Sequence, residues 1–258
     1  DFRAMGGPAE FRATHDSTRH AEHAFDRAQA HLLRLEQRYS RFLDDSLVSR
    51  INRAAGTDTL TPVDHETAGL LNYAATLWQE SGGLFDITSG VMRRAWRWDS
   101  DSPPGQQEIN ACLELIGWDK VQWDGERIGL PLPGMELDFG GLVKEYAADA
   151  AAATLREAGL NHALVNLAGD IAVTGPQAAG QAWHTGISNP ENPDVAMATV
   201  AISGGGLATS GDYQRYIEID GDRLSHLINP KTGWPARGLA SVSVLADQCL
   251  IEIGRAHV

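Results

Sequence analysis

The chain has 258 residues, 43% hydrophobic and 21% charged, as is ordinary for a soluble globular protein with a well-buried core. Its formal net charge of -13 argues against nonspecific binding to nucleic acid or to an anionic membrane, since such binding needs clustered Lys and Arg. The two cysteines lack metal-ligand spacing, and no apolar run approaches membrane-spanning length. The Lys and Arg side chains must therefore bind any anionic ligand at particular positions and not over a broad basic surface. Only three of them are lysines.

The N-terminal segment predicts a hairpin followed by a long helix. Residues Phe2 to Thr14 read as two short strands around a Gly-Gly-Pro turn. In that turn, Met5 is either a core residue or a contact for a planar ligand, and sequence alone favours the core. Apolar residues at three- and four-residue steps from Ala21 to Tyr39 predict an amphipathic helix. The run from Tyr39 to Asn52 is rich in hydroxyls and arginines, which is typical of a solvated connection.

A second helix is predicted from the capping residue Asp64 to the terminating pair Gly82-Gly83. Directly after it, the run from Leu84 to Thr88 places Asp86 between apolar residues, and two tryptophans follow. Aromatic side chains near an acid either sandwich a heterocycle and bond its edge, or pack around a capping aspartate. Both interpretations of Asp86 stay open.

A glycine pair, Gly140-Gly141, joins a predicted strand at Leu137 to Phe139 to a predicted helix that ends at Gly159. A strand, a glycine pair and a helix start gather free backbone N–H groups and the positive end of the helix dipole. A phosphate or pyrophosphate needs this geometry. The alternative is a tight connection that requires glycine only for backbone shape, because the run is neither GxGxxG nor a Walker A loop.

The rest of the chain is rich in strand signals. Strands are predicted over residues 163–167, 171–173, 183–187, 195–203 and 241–245. The stretch from Leu207 to Pro235 adds a turn at Thr209-Ser210-Gly211 and a hairpin around Asp220-Gly221, whose second strand carries His226. His226 is either a packed surface histidine or part of an anion site. The predicted fold class is α/β or α+β, with mixed sheets and flanking helices.

Several motifs along the chain together resemble the ApbE family, the FAD:protein FMN transferases. They are AMG (Ala4 to Gly6), YSRFLDDSLVSRIN (Tyr39 to Asn52), GLFDIT (Gly83 to Thr88), LDFGGLVKEYAAD (Leu137 to Asp149), ALVNLAGDI (Ala163 to Ile171), TSGDYQRY (Thr209 to Tyr216) and SHLINPKTG (Ser225 to Gly233). Their order and spacing match the family over nearly the whole chain. The resemblance implies a single domain over residues 1–258, with FAD bound in a cleft between two lobes.

The resemblance also implies an activity. FAD is then a substrate, its FMN half passes to a threonine or serine hydroxyl of a target flavoprotein subunit, AMP leaves, and Mg²⁺ is the cofactor. Two alternatives remain open, namely hydrolysis of FAD to FMN and AMP, and flavin binding without turnover. The family resemblance favours a periplasmic or membrane-anchored location through an upstream segment, and a cytoplasmic location stays open.

Carried over by position, the resemblance assigns a catalytic residue, a metal ligand and a set of FAD contacts. His226 matches the histidine close to the pyrophosphate, and Gly141 matches the residue whose carbonyl ligates magnesium. The predicted FAD contacts are Met5, Phe42, Leu84, Phe85, Asp86, Asp138, Lys144, Thr209, Ser210, Gly211 and Ile228.

The chain departs from the family pattern in two places. After the last predicted strand, the family carries a helix resembling Asp-Ala-Leu-Ala-Thr, whose Asp and Thr complete the magnesium shell. The residues from Leu245 to Val258 do not match it, and Asp247 precedes the expected position. We therefore expect the chain to lack its C-terminal metal-ligand segment, as if truncated or joined to foreign residues, and to bind metal poorly or lack transferase activity. Asn229 replaces an Asp that is common in the histidine motif, which removes one charge.

Overall fold

The computed structural model describes residues 1–100, 102–190, 192–211, 216–219 and 222–250. The strands are β1 (Phe2–Ala4), β2 (Gly7–Ala13), β3 (Thr61–Pro62), β4 (Gln122–Trp123), β5 (Arg127–Gly129), β6 (Ala163–Leu167), β7 (Asp170–Val173), β8 (Trp183–Asn189), β9 (Asn192–Ile202), β10 (Gly205–Gly211), β11 (Tyr216–Ile219), β12 (Asp222–Ser225) and β13 (Ser241–Ala246). The helices are α1 (Thr18–Tyr39), α2 (Leu47–Arg53), α3 (His65–Glu80), α4 (Gln106–Leu113) and α5 (Val143–Glu157), with 3₁₀ turns at Ile87–Arg94, Trp118–Lys120 and Ala178–Gly180. Within the described ranges, no helix has both the length and the apolar character that a membrane crossing requires.

The described residues form two compact units. The first unit comprises residues 1–38, 140–211 and 241–250, and the second comprises residues 39–139, 216–219 and 222–240. That the whole chain forms one domain stays a prediction. The combination of helices with several sheets confirms the predicted α+β class.

A six-stranded sheet lies at the centre of the first unit, in the order β1-β2-β6-β7-β10-β13, and each strand is antiparallel to its neighbours. The central strands β6 and β7 are almost fully buried, because α5 packs against both of them. α5 is rich in alanine, and Ala147, Ala148 and Ala151 are buried. Small side chains allow a helix to lie close to a sheet, so polar groups at the start of α5 are also brought under cover.

The second unit has a largely helical core. Asp64 caps α3, because its Oδ1 accepts a hydrogen bond from the Thr67 amide at 3.0 Å, and the helix buries Leu71 and Ala74. A hydrophobic cluster joins α4 to the 3₁₀ turn at Ile87–Arg94 and to the paired strands β11 and β12. Its buried members are Val91, Met92, Ala95, Trp96, Ile109, Cys112, Ile116, Ile217 and Leu224.

Two predictions about connections are wrong. The run after Tyr39 is not solvated throughout, because its second half forms α2, with Leu47 and Ile51 buried and the Ser49 amide donating to Ser46 Oγ at 2.9 Å. Leu137 to Phe139 form no strand, although the structure describes them. The side chain of Asn52 bonds both the amide and the carbonyl of Leu137, at 2.7 and 3.0 Å, and thus takes the place of a partner strand.

Two predictions in the stretch after Leu207 are also wrong. Thr209-Ser210-Gly211 is not a turn but the end of β10, because all three residues pair with β13. His226 is not inside the second hairpin strand, since β12 ends at Ser225. The predicted turn at Asp220-Gly221 lies outside the described residues.

Candidate functional site

Phe42, a predicted FAD contact in the second unit, has 78% of its surface exposed. The guanidinium carbon of Arg41 lies 4.8 Å from the centroid of the Phe42 ring. Nη1 of Arg41 also donates to Oδ2 of Asp138 at 2.6 Å. A guanidinium over one side of an aromatic ring restrains the ring, and the exposed remainder suits a planar ligand. Two predicted contacts, Phe42 and Asp138, are thus brought together through Arg41.

Asp86, in the same unit, is buried and serves as a cap. Its Oδ1 accepts hydrogen bonds from the amide and the hydroxyl of Thr88, at 2.8 and 2.6 Å, and its Oδ2 accepts from the Trp118 amide at 2.9 Å. Burial raises the pKa of Asp86, and the bonds from Thr88 and Trp118 oppose that rise. These contacts support the capping interpretation. Of its predicted neighbours, Phe85 is buried whereas Leu84 is 37% exposed.

Main-chain contacts hold the segments of Asp86 and Asp138 side by side. The amide of Asp138 donates to the carbonyl of Ile87 at 2.8 Å. Gly90 faces Asp138 so closely that a Cβ atom at Gly90 would lie 2.6 Å from the Cβ of Asp138. A side chain at Gly90 would therefore displace a predicted FAD contact.

His226 is half-buried and lies directly after β12. The turn that follows it is closed by Asn229, whose carbonyl accepts from the Gly233 amide at 2.8 Å and whose Oδ1 accepts from the Lys231 amide at 2.9 Å. Nε1 of the buried Trp96 donates to the Gly233 carbonyl at 2.7 Å. The turn beside His226 is therefore anchored to the core of the second unit, and Ile228 lies within it, in a bridge to Pro235.

Met5 and Gly6 form the tight turn between β1 and β2 in the first unit. Both have positive φ, 54° and 76°, and two such residues are typical of the hairpin turn that fits strand twist. The amide of Gly6 donates to Oε1 of Glu36 at 3.1 Å. Met5 is half-buried and does not lie in the core that sequence alone favours. This position leaves part of its side chain available to a ligand.

The glycine pair leads into α5 as predicted, and Gly141 is exposed. Among the described residues, the N-cap residue Leu142 makes no side-chain hydrogen bond to the first turn of α5. The positive end of the helix dipole lies at the same place. The anion-binding interpretation of the glycine pair requires this arrangement.

Lys144, in the first turn of α5, meets a buried carboxylate. Its Nζ lies 2.7 Å from Oδ2 of Asp170, and the Asp170 side chain is 2% exposed against 27% for Lys144. The Thr209 amide donates to Oδ1 of Asp170 at 3.4 Å, and the Thr209 hydroxyl lies 2.8 Å from that of Ser243. Burial works to lower the pKa of Lys144, but the attraction of Asp170 outweighs it and the pKa is raised. Lys144 and Thr209, both predicted contacts, thus meet on Asp170.

The predicted metal ligand Gly141 offers a backbone carbonyl. Among the residues that the structure describes, no group of three or more His, Cys, Asp or Glu side chains is arranged to hold a metal ion. Mg²⁺ keeps several waters in many protein sites and takes one or two carboxylates plus phosphate oxygens.

Sequence reasoning missed three charged residues beside the predicted contacts, namely Arg41, Glu145 and Asp170. Glu145 shares one buried face of α5 with Ala148 and Ala152, at helical spacing. An acid on an apolar helix face is rare, so this pattern could have identified Glu145. Neither Arg41 nor Asp170 gives a comparable signal, because each acts across a tertiary contact.

Comparison with known proteins agrees with the resemblance. The ApbE family profile matches residues 5–253. A Rhodobacter capsulatus protein named FAD:protein FMN transferase is 35% identical over 202 residues, which cover 76% of this chain and 38% of the relative. A protein of the same name from Escherichia coli (strain K12) is 30% identical over 245 residues, which cover 91% of this chain and 69% of the relative. The crystal structure of the ApbE protein from Thermotoga maritima matches with a TM-score of 0.87 and 28% identity, covering 100% of this chain and 84% of that chain. The chain therefore spans well under two thirds of the Rhodobacter relative. It belongs to the ApbE family.

Proposed function

We propose that this chain is an FAD:protein FMN transferase. The observation that carries the proposal is the family match over residues 5–253, which includes every predicted site residue. Relatives from Rhodobacter capsulatus and Escherichia coli carry that name. The ammonium of Lys144 at a glycine-rich helix start supports the proposal, because a diphosphate substrate needs local positive charge.

In the proposed reaction, the hydroxyl oxygen of a threonine or serine on a target flavoprotein subunit attacks the FMN phosphorus of FAD. A bond forms between that oxygen and the phosphorus, the phosphorus–bridging oxygen bond breaks, and AMP leaves with the electron pair. The hydroxyl proton passes to His226, which acts as a general base, and from there to solvent. The FMN moiety ends as a phosphodiester on the target.

The other residues bind and orient FAD. Lys144 neutralises charge on nonbridging phosphate oxygens, since phosphoryl transfer depends on that neutralisation. The exposed ring of Phe42, restrained by Arg41, stacks on a planar ring system of FAD.

Magnesium dependence belongs to the same proposal. Gly141 would contribute a carbonyl, and FAD phosphates and water would supply further oxygen ligands. Bound magnesium would supply charge neutralisation at the phosphates.

The test incubates the chain with FAD and a target-domain peptide, with and without Mg²⁺, and measures the peptide mass and released AMP. We expect a mass increase of one FMN on a threonine or serine, with AMP released. His226→Ala should lower FMN transfer by about a hundredfold, since general-base catalysis contributes about that factor, while FAD binding measured by flavin fluorescence is retained. His184→Ala, an exposed histidine on β8, is the matched control.

Unchanged transfer by the His226→Ala variant would remove His226 from the mechanism. AMP without a modified peptide would identify FAD hydrolysis instead. Flavin binding without AMP release would identify a flavin-binding module.

A further inference from the structure

The start of α5 contains charged side chains that are withdrawn from water. Glu145 is 7% exposed and Asp170, at the start of β7, is 1% exposed. Acidic residues are seldom buried unless they are paired, because desolvation of a charge is costly. Lys144 provides one partner, at 2.7 Å from Oδ2 of Asp170. One lysine cannot neutralise two buried carboxylates. The burial of the second acid therefore needs another explanation.

The hydrogen bonding of the two acids supplies that explanation. Among the described residues, no hydrogen-bond donor serves Oε2 of Glu145 or Oδ2 of Asp170. Nζ of Lys144 contacts Oδ2 of Asp170 at 2.7 Å as an ion pair. The two carboxyl groups are within hydrogen-bond reach of each other. Two ionised carboxylates have no proton to share, whereas a protonated carboxyl group can donate a hydrogen bond to an ionised one.

The electrostatics place that proton on Glu145. Burial, and after it the charge of Asp170, raise the pKa of Glu145 to about 8. Burial also raises the pKa of Asp170, but the Lys144 ammonium opposes that rise. At neutral pH the three residues therefore form a protonated Glu145, an ionised Asp170 and an ammonium, with no net charge.

Other groups near this cluster are accounted for. On α5 itself, Asp149 accepts hydrogen bonds from the amides of Cys249 and Leu250, at 2.9 and 2.8 Å. The Cys249 thiol, in the segment after β13, donates to the Leu207 carbonyl at 3.9 Å and is an electrostatic neighbour of Lys144. From β10, the Thr209 amide donates to Asp170. Among the described carboxyl groups of this cluster, Glu145 is the one whose pKa is raised to about 8.

We propose that Glu145 and Asp170 form a hydrogen-bonded acid pair that positions the Lys144 ammonium for the diphosphate of FAD and makes FAD binding pH-dependent. The inference rests on the proposed use of FAD by this chain. Asp170 holds Nζ of Lys144 in place and is itself fixed by the Thr209 amide, and protonated Glu145 supports Asp170 without adding charge. When Glu145 loses its proton, a second negative charge stands beside Lys144 and repels the phosphates.

The test measures the Kd of FAD by flavin fluorescence across pH, without turnover. For the wild-type chain we expect the Kd to rise by about tenfold between about pH 7.5 and about pH 9.5, because binding is linked to one proton. Glu145→Gln keeps a donor for Asp170 but cannot ionise, so its Kd should stay flat over that range. Glu157→Gln makes the same change at an exposed position on the same helix and should retain the wild-type profile.

A second variant tests the positioning of Lys144. Asp170→Asn should raise the KM for FAD at neutral pH by about tenfold or more, since a lost charge-assisted contact has about that worth, while kcat at saturating FAD changes little. A wild-type pH profile in Glu145→Gln, or wild-type FAD binding in Asp170→Asn, would overturn the inference. FAD binding without any FMN transfer would refute the proposed function alone, and a wild-type chain that binds no FAD would overturn both.

Discussion

Each unit contains one ion pair at a predicted FAD contact, and the two pairs differ in their surroundings. Nζ of Lys144 lies 2.7 Å from Asp170 in the first unit, and Nη1 of Arg41 lies 2.6 Å from Asp138 in the second. The acid of the first pair is 2% exposed, whereas that of the second is 28% exposed. The two cationic side chains are similarly exposed, Lys144 at 27% and Arg41 at 19%, so burial of the acid, and not distance, distinguishes the two pairs.

The pairs also differ in their third member. Glu145 adds a buried acid to the first pair, and the charge of that acid depends on pH. Phe42 adds an exposed ring beneath the guanidinium of the second pair. The first pair therefore affects the stability of the fold and its dependence on pH. The second pair mainly fixes the orientation of the exposed Phe42 ring.

The largest expected effect comes from removing the buried acid. Asp170→Ala should lower the free energy of unfolding by about 3–5 kcal/mol, because it leaves Lys144 and Glu145 without their shared partner under cover. Asp138→Ala, the same change in the other pair, should cost about 1 kcal/mol. Urea denaturation followed by tryptophan fluorescence measures both. Equal losses would show that burial does not separate the two pairs.

The next effect is the dependence of stability on pH. The pKa of Glu145 is raised from its usual 4.5 to about 8, so between these values the folded chain holds a proton that the unfolded chain has lost. Stability from this group is present below the lower value and is lost as pH rises through the upper one. Urea midpoints of the wild type should fall across this window more steeply than those of Glu145→Gln. Buried Asp86, whose pKa is also raised, adds a slope of the same sign to both proteins.

The smallest effect is expected from the Arg41–Asp138 pair, whose acid is partly exposed. Arg41→Ala should lower the free energy of unfolding by about 0.5–1 kcal/mol, the usual range for a partly exposed ion pair together with a cation–π contact. Arg12→Ala, which breaks the surface pair with Glu10, is the control and should change stability still less. Thermal melts of the two variants measure the difference. A loss from Arg41→Ala as large as that from Asp170→Ala would contradict the comparison.

Sequence signals such as capping residues, apolar periodicity and turn glycines correctly predicted the elements that depend on local interactions. Helix α3 has a capping acid at Asp64 and apolar residues on one face, and the turn between β6 and β7 has its expected Ala168-Gly169. Helix α2 was missed because it has only seven residues, too few to show a period. The end of β10 was missed because its Thr-Ser-Gly composition is typical of a turn, and pairing with β13 overrides that preference.

In the candidate site, too, some residues are recognisable from local sequence and others are not. Lys144, Asp138 and Phe42 belong to motifs that can be read along the chain. Their partners Asp170 and Arg41 are defined only by tertiary contacts, since Arg41 and Asp138 are 97 residues apart. A sequence shows which residue types are present. The contribution of a charged side chain to stability depends on its burial, which only the folded structure specifies.

The turn at Met5 stores backbone strain. Asparagine or glycine adopts positive φ with little strain, whereas a residue such as methionine pays about 1–2 kcal/mol for it. Asn or Gly at this position would relieve the strain and keep the hairpin, but would remove the half-buried thioether side chain from the turn.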